Sequence, residues 1–400
     1  MKKVISYGVN EFLCKGLNLG LVLLLPIILT QEEFGNVVYY ISIEQIMFAI
    51  IIFGQQNKFI KDYQRARCDK EKYVIYNKSK KISLIIFVIV SVCILVSAMF
   101  FGMECLDFFI LLILAFGCFL YAIYELDNIR MRSDENHSGY FNSKMTYQVI
   151  KFFSCLILIK IFNFESHSYV LAIILSVVSV NIINAIKLRA GNFIGQKVSV
   201  VDVMMIWPFA LQAILNIAYS FIDRLMIKKM MTDNDLALYG FAYNLASLVF
   251  FAISVIFLVY LPKFYREKDI DVARVILKTS CFYSLAIVVV FFTLLFFLYD
   301  YLMFFFPAEY SGSYPLTLML IFNYGVHIIY LYFFHINNFN NSIGLLPYIV
   351  AISLGLSIVA CYILIPIIGV LGAAISTVST QVTLSVLMWL NSNREFKHAD

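Results

Sequence analysis

The apolar residues of this chain come in runs about as long as a lipid bilayer is thick, and that limits what it can fold into. Residues 82–101 and 281–299 contain no charged side chain at all. A helix that crosses a bilayer needs ~20 mostly apolar residues. Measured with that ruler the sequence predicts about twelve spans, near 9–29, 37–56, 82–101, 106–124, 145–162, 168–188, 205–226, 236–260, 279–299, 314–334, 345–366 and 369–390. Strands of a membrane barrel alternate apolar and polar residues, whereas these runs are continuously apolar. The longest polar stretch, 57–81, is too short to bury a core of its own, which argues against a soluble domain. With 62% hydrophobic and 14% charged residues, the chain is far from soluble composition, which is about half apolar and a quarter charged. The fold class expected is all-α and integral to the membrane.

Charge orients the spans. If the N-terminus is cytoplasmic, twelve spans return the C-terminus to the same side. Segments on that side then hold 25 of the 30 lysines and arginines, a strong positive-inside bias. The net charge of +5 therefore reports topology and requires no nucleic-acid partner. The loop from Asn57 to Lys81 is the most basic, and its amphipathic pattern predicts a topology anchor lying on the cytoplasmic lipid surface. The first residues share only two lysines with a signal peptide and are read as a retained span. The cysteines show no CxxC spacing. Cys14, Cys93, Cys118, Cys155, Cys281 and Cys361 lie in apolar runs, as small core residues do.

Several spans carry polar stripes that lipid would penalise. Gln212, Asn216, Ser220 and Asp223 share one face of the seventh span, with Arg224 beside the last of them. Glu11, Lys15 and Asn18 share a face of the first span, with the acid four residues before the base, the favourable order. The second span contains Glu44 and Gln45. Gln148, Lys151 and Cys155 share a face of the fifth, Ser179, Asn181 and Asn184 are packing contacts of the sixth, and Asn323 and His327 lie one turn apart in the tenth. Two plainer readings remain open, an interfacial Asp223–Arg224 anchor and a Lys151 that snorkels to the surface. The five histidines show no cluster for a metal, and no nucleophile motif, phosphate loop or catalytic carboxylate pair occurs. Spans one and seven each open a set of six, which predicts duplicated six-helix bundles at 1–195 and 196–400.

Three patches resemble a known family. They are the stretch from Trp207 to Ser247, with Asp223, Arg224 and Tyr239; the acidic turn Gln31–Gly35, ending in Glu33, Phe34 and Gly35; and the corner with Pro366, Gly369, Gly372, Ala373 and Ala374. In that order they are similar to polysaccharide and O-antigen flippases of the multidrug/oligosaccharidyl-lipid/polysaccharide (MOP) exporter superfamily. Ala237 stands where the family often has glycine.

The resemblance implies two bundles around a central cavity, alternating access, and a multi-pass protein of a bacterial inner membrane. Its cargo would be an isoprenoid-diphosphate-linked oligosaccharide, carried to the periplasmic leaflet for O-antigen, capsule or other surface polysaccharide. Lys15, Lys151 and Arg224 are the cations available to a diphosphate. Gln212, Asn216, Tyr219, Ser220, Asn244 and Asn323 suit sugars, and Glu11, Glu44 and Asp223 are candidates for ion coupling. No cofactor is implied. Membrane lipids, and a glycan polymerase and chain-length regulator of the same pathway, are the partners it suggests. Three alternatives stand beside it. They are a drug or cation exporter of the same superfamily, a glycan polymerase, which would want a long outer loop, and an acyltransferase using His327 or His335.

Overall fold

A computed structural model describes the backbone of residues 2–101, 105–188, 195, 197–267, 269–340 and 344–396, and all their side chains except those of 2–12, 57, 61, 101, 105, 187, 188, 200 and 394–396. Its helices are α1 (Lys2–Ile28), α2 (Gln31–Ile52), α3 (Gln55–Arg65), α4 (Asp69–Phe101), α5 (Cys105–Ser133), α6 (His137–Lys160) and α7 (His167–Leu188). They continue with α8 (Val200–Met230), α9 (Asp233–Phe264), α10 (Ile270–Met303), α11 (Tyr314–Phe339), α12 (Leu346–Ile368) and α13 (Val370–Phe396). Each expected span falls on a helix of its own. Among the described residues, ten of these twelve helices are long and apolar enough to cross a membrane. Of the other two, α1 contributes the shorter apolar segment Leu13–Ile28. Helix α6 carries Lys144, Gln148 and Lys151, which lower its hydropathy.

The helices sort into two compact units, one of Met1–Leu21 and Tyr40–Ile217, the other of Val22–Tyr39 and Ala218–Asp400. Within the first, α5 packs on α4 and α7, and α6 packs on α7. Helix α2 meets α5 through Ile51, Ile52, Cys118, Phe119 and Ala122. Within the second, α11 packs on α10, α13 and α9, and α12 packs on α13. The pairs α4–α5, α5–α7 and α6–α7 of the first unit correspond in chain order to α10–α11, α11–α13 and α12–α13 of the second, whereas α9–α10 has no such counterpart among the main contacts of the described residues.

Helix α3 departs from the expected surface anchor. The second span stops at Ile52 because Phe53 and Gly54 take left-handed conformations, with φ of 52° and 63°. The chain then re-enters as α3, whose apolar face does not lie on lipid. Phe59 and Tyr63 are buried with Tyr76 of α4 and with Leu126 and Ile129 of α5. Polar contacts fix the same junction. Lys80 Nζ lies 2.8 Å from Asp127 Oδ1, both side chains buried; Tyr76 donates to the same carboxylate; and Arg130 stacks on the Tyr76 ring. Tyr63 donates to Asp134 at 3.0 Å. Burial and the Asp134 carboxylate push its hydroxyl up to about 12, so it remains a donor throughout the physiological range. Tyr63→Phe is expected to loosen α3 by about 1 kcal/mol, measured as faster tryptic cleavage at the exposed Arg65 and Arg67.

The residues expected as an acidic turn form the first turn of α2, where Glu32 and Glu33 face the positive end of the helix dipole. Phe34 is fully buried, edge-on to Tyr310. A Cβ on Gly35 would fall on the backbone carbonyl of Asp233, and one on Gly240 would fall on the Val38 side chain. Close approach is thus provided at Gly240, whereas Ala237 is simply buried. Lys228 ties the tip together, donating to Asn36 at 2.9 Å and to Asp233. Thr232 and Asp235 form a reciprocal capping box at the start of α9. Thr232→Ala is expected to cost about 1 kcal/mol, read as a lower melting temperature in detergent.

Of the cysteines, Cys14, Cys118, Cys155 and Cys361 are buried, as expected of small core residues, but Cys93 is exposed. Asn184 donates to Ser143 at 3.1 Å and Asn181 to the Leu120 carbonyl at 2.9 Å, so both bind helix to helix. Ser179 bonds within its own helix, to the Leu175 carbonyl.

Candidate functional site

Apart from the Lys80–Asp127 pair, each unit buries an acid–base cluster among its described helices. In the first unit the buried face of α6 runs Tyr140, Ser143, Tyr147, Lys151, Cys155 and Ile159, the three- and four-residue spacing of one helix side. Lys151 on that face is 5% exposed, so it does not snorkel. Its Nζ donates to Tyr169 Oη of α7 at 3.1 Å and to Asn18 Oδ1 of α1 at 3.3 Å. Tyr169 Oη donates in turn to Glu44 Oε2 of α2 at 3.1 Å. A tyrosine hydroxyl, able to accept and donate at once, therefore bridges the cation and the acid. Both residues are at most 5% exposed, and burying charges is tolerable only when they are paired and hydrogen-bonded.

In the second unit the cluster sits where α8 meets α9 and α13. Asp223 accepts from Tyr239 Oη, from Thr377 Oγ1 at 3.4 Å and from the Arg224 backbone N–H at 2.8 Å. Arg224 is as buried as Asp223, each being 3% exposed. Its Nη1 lies 3.7 Å from Asp223 Oδ1 and donates to the Ser220 carbonyl at 2.8 Å. The guanidinium stacks over Tyr243 at 3.8 Å from the ring centroid, close enough for a strong cation–π contact. Its Nη2 is buried with no hydrogen-bond partner. Such groups are rare, and each calls for a ligand or water. An anion carrying several oxygens is the chemistry that would use this spare donor.

The other predicted residues fall out as follows. Tyr219 of α8 donates to Gln381 Oε1 of α13 at 3.2 Å. Asn323 of α11 is buried, with its Oδ1 unpartnered. Gln212, Asn216 and Asn244 are half-buried, while Ser220 and Lys15 are exposed. The side chain of Glu11 lies outside the described residues. The structure therefore brings together Asn18, Glu44 and Lys151 in one cluster, and Asp223 and Arg224 in another. Sequence reasoning missed Tyr169, Tyr243, Thr377 and Gln381. Thr377 and Gln381 stand one helical turn apart in α13, a spacing that could have shown them.

The helical fold that holds these clusters is shared by solved membrane transporters. Solved structures of that kind match almost the whole chain at low identity. One is a multidrug resistance MATE family transporter of the MOP superfamily in an inward-facing conformation, with TM-score 0.75, 12% identity, and coverage of 96% of this chain and 94% of that one. Another is the lipid II flippase MurJ in an inward closed conformation, with TM-score 0.76, 12% identity, and coverage of 96% of this chain and 87% of that one. Residues 1–268 match the family described as polysaccharide biosynthesis protein, and the chain belongs to that family. Among curated proteins, none matches it in sequence.

Proposed function

We propose that the protein flips an isoprenoid-diphosphate-linked oligosaccharide from the cytoplasmic to the periplasmic leaflet by alternating access, for surface polysaccharide such as O-antigen or capsule. The observation that carries this reading is the burial of two bases within helical units of a polysaccharide biosynthesis protein, Lys151 on Tyr169 and Arg224 with an unpartnered Nη2. A drug exporter gains nothing from buried cations if its cargo is itself cationic. A diphosphate rewards them. The fold shared with a lipid II flippase supports a cargo whose lipid tail stays in the bilayer while the polar head crosses.

In this reading, the chain works as two six-helix bundles, at 1–195 and 196–400. Lys151, Arg224 and Lys15 meet the diphosphate, and Gln212, Asn216, Tyr219, Ser220, Asn244 and Asn323 meet the sugars. Glu44, Asp223 and Glu11 neutralise the bases in the empty state or carry a coupling ion. The bias of lysine and arginine supports cytoplasmic termini, and the flippase reading implies a bacterial inner membrane. Deleting the gene, extracting lipid-linked oligosaccharide and staining the surface for glycan tests this. Complete units accumulating inside with loss of surface glycan is the expected result. Single units still reaching the surface would mark a polymerase, and unchanged glycan with altered drug sensitivity would mark a drug exporter.

A further inference from the structure

Helix α11 carries a stripe that the two charged clusters do not use. Asn323, His327, Tyr330 and Phe334 recur at the spacing of one helix face. The His327 ring lies 5.3 Å from Tyr330 and 5.7 Å from Phe250 of α9, measured between centroids. Across from it, Gln381 of α13 is 4% exposed. Its Oε1 accepts from Tyr219, and its helix packs directly against α11. Yet Gln381 Nε2 is buried without a partner, as is Asn323 Oδ1. Three helices of the second unit thus converge on neutral donors and acceptors with unfilled capacity, beside aromatic faces. A hydrocarbon interior offers such groups nothing, so they need either ordered water or a ligand rich in hydroxyls and amides.

Charge separates this place from the Arg224 cluster. The subsite is built from an amide, an imidazole and phenols, and none of them requires an ionic partner. Tyr219 and Arg224 are five residues apart on α8, a rise of about 7.5 Å. That is the scale of one sugar beside a phosphate.

We propose that Gln381, His327, Asn323 and Tyr330 form a recognition subsite for the sugar nearest the diphosphate, taking its hydroxyl or acetamido groups on Gln381 and Asn323 and its apolar face on Tyr330. This rests on the flippase reading, and assigns sugar selectivity to α11 and α13.

The test measures binding to the full-length protein in lipid nanodiscs, with two short-chain probes. One is a polyprenyl diphosphate and the other is the same lipid carrying a single N-acetylhexosamine. Wild type is expected to prefer the glycosylated probe. Gln381→Met, which keeps the side-chain length, and His327→Gln should each cut that preference by about tenfold, because a missing hydrogen bond leaves a polar group unpaired. Both should hold the bare diphosphate as wild type does, which also shows that they fold. Arg224→Gln should weaken both probes together. Unchanged preference in both variants would overturn the subsite and leave the flippase reading standing. Failure of wild type to bind either probe would overturn both.

Discussion

Replacing Lys151 with methionine is expected to abolish glycan export and to lower the stability of the first unit by about 3–5 kcal/mol, the usual cost of breaking a buried ion pair from one side. The reason lies in what remains behind. Glu44 is 4% exposed and Tyr169 3%. Without the ammonium, the carboxylate keeps the hydroxyl bond but loses the positive charge that makes its burial tolerable. Adding Glu44→Gln removes the stranded charge, and the double variant should recover most of the lost melting temperature. Export should remain lost, since the cation that meets the cargo is still missing. Export returning together with stability would reduce Lys151 to a structural role and defeat the cationic site. Both readings come from one pair of strains, stained for surface glycan, and the purified proteins, melted in detergent.

The second large effect is expected at Asp223. Asp223→Ala takes the acceptor from Tyr239 and Thr377 and leaves the Arg224 guanidinium buried beside the Ser220 carbonyl and the Tyr243 and Phe221 rings, without its carboxylate. A loss of about 3–5 kcal/mol follows from the unpaired charge. Asp223→Asn retains the shape and an acceptor oxygen but not the charge. It should therefore melt closer to wild type than the alanine variant, while export still falls. If Asp223→Ala left both melting and surface glycan untouched, the pair would be an interfacial anchor and nothing more.

What could be foreseen from the sequence divides along physical lines. The spans were legible because lipid sets their length directly, and Cys155 and Lys151 on one face of α6 follow from helical periodicity. Lys151 itself was visible as a misplaced charge, but its partners were not. Asn18, Glu44 and Tyr169 come from three other helices, and helix-to-helix register leaves no local trace. Tyrosines were hard for another reason, since they occur at membrane interfaces as readily as inside bundles. Helix α3 misled because amphipathicity records that one face is apolar, not whether lipid or protein covers it. The Lys80–Asp127 pair beneath it joins two helices whose charged ends looked like ordinary loop flanks.

The two close glycines where α2 meets the start of α9, Gly35 and Gly240, would behave differently in a suppressor screen. At Gly240 an added methyl meets a side chain, that of Val38. Gly240→Ala should therefore yield second-site revertants in which Val38 has become alanine or glycine. At Gly35 the obstacle is the main-chain carbonyl of residue 233, which is present whatever amino acid occupies that position. No substitution at 233 can make room, and Gly35→Ala should return only true revertants. Two glycines of one helix junction would thus carry opposite genetic signatures, one repairable and the other not.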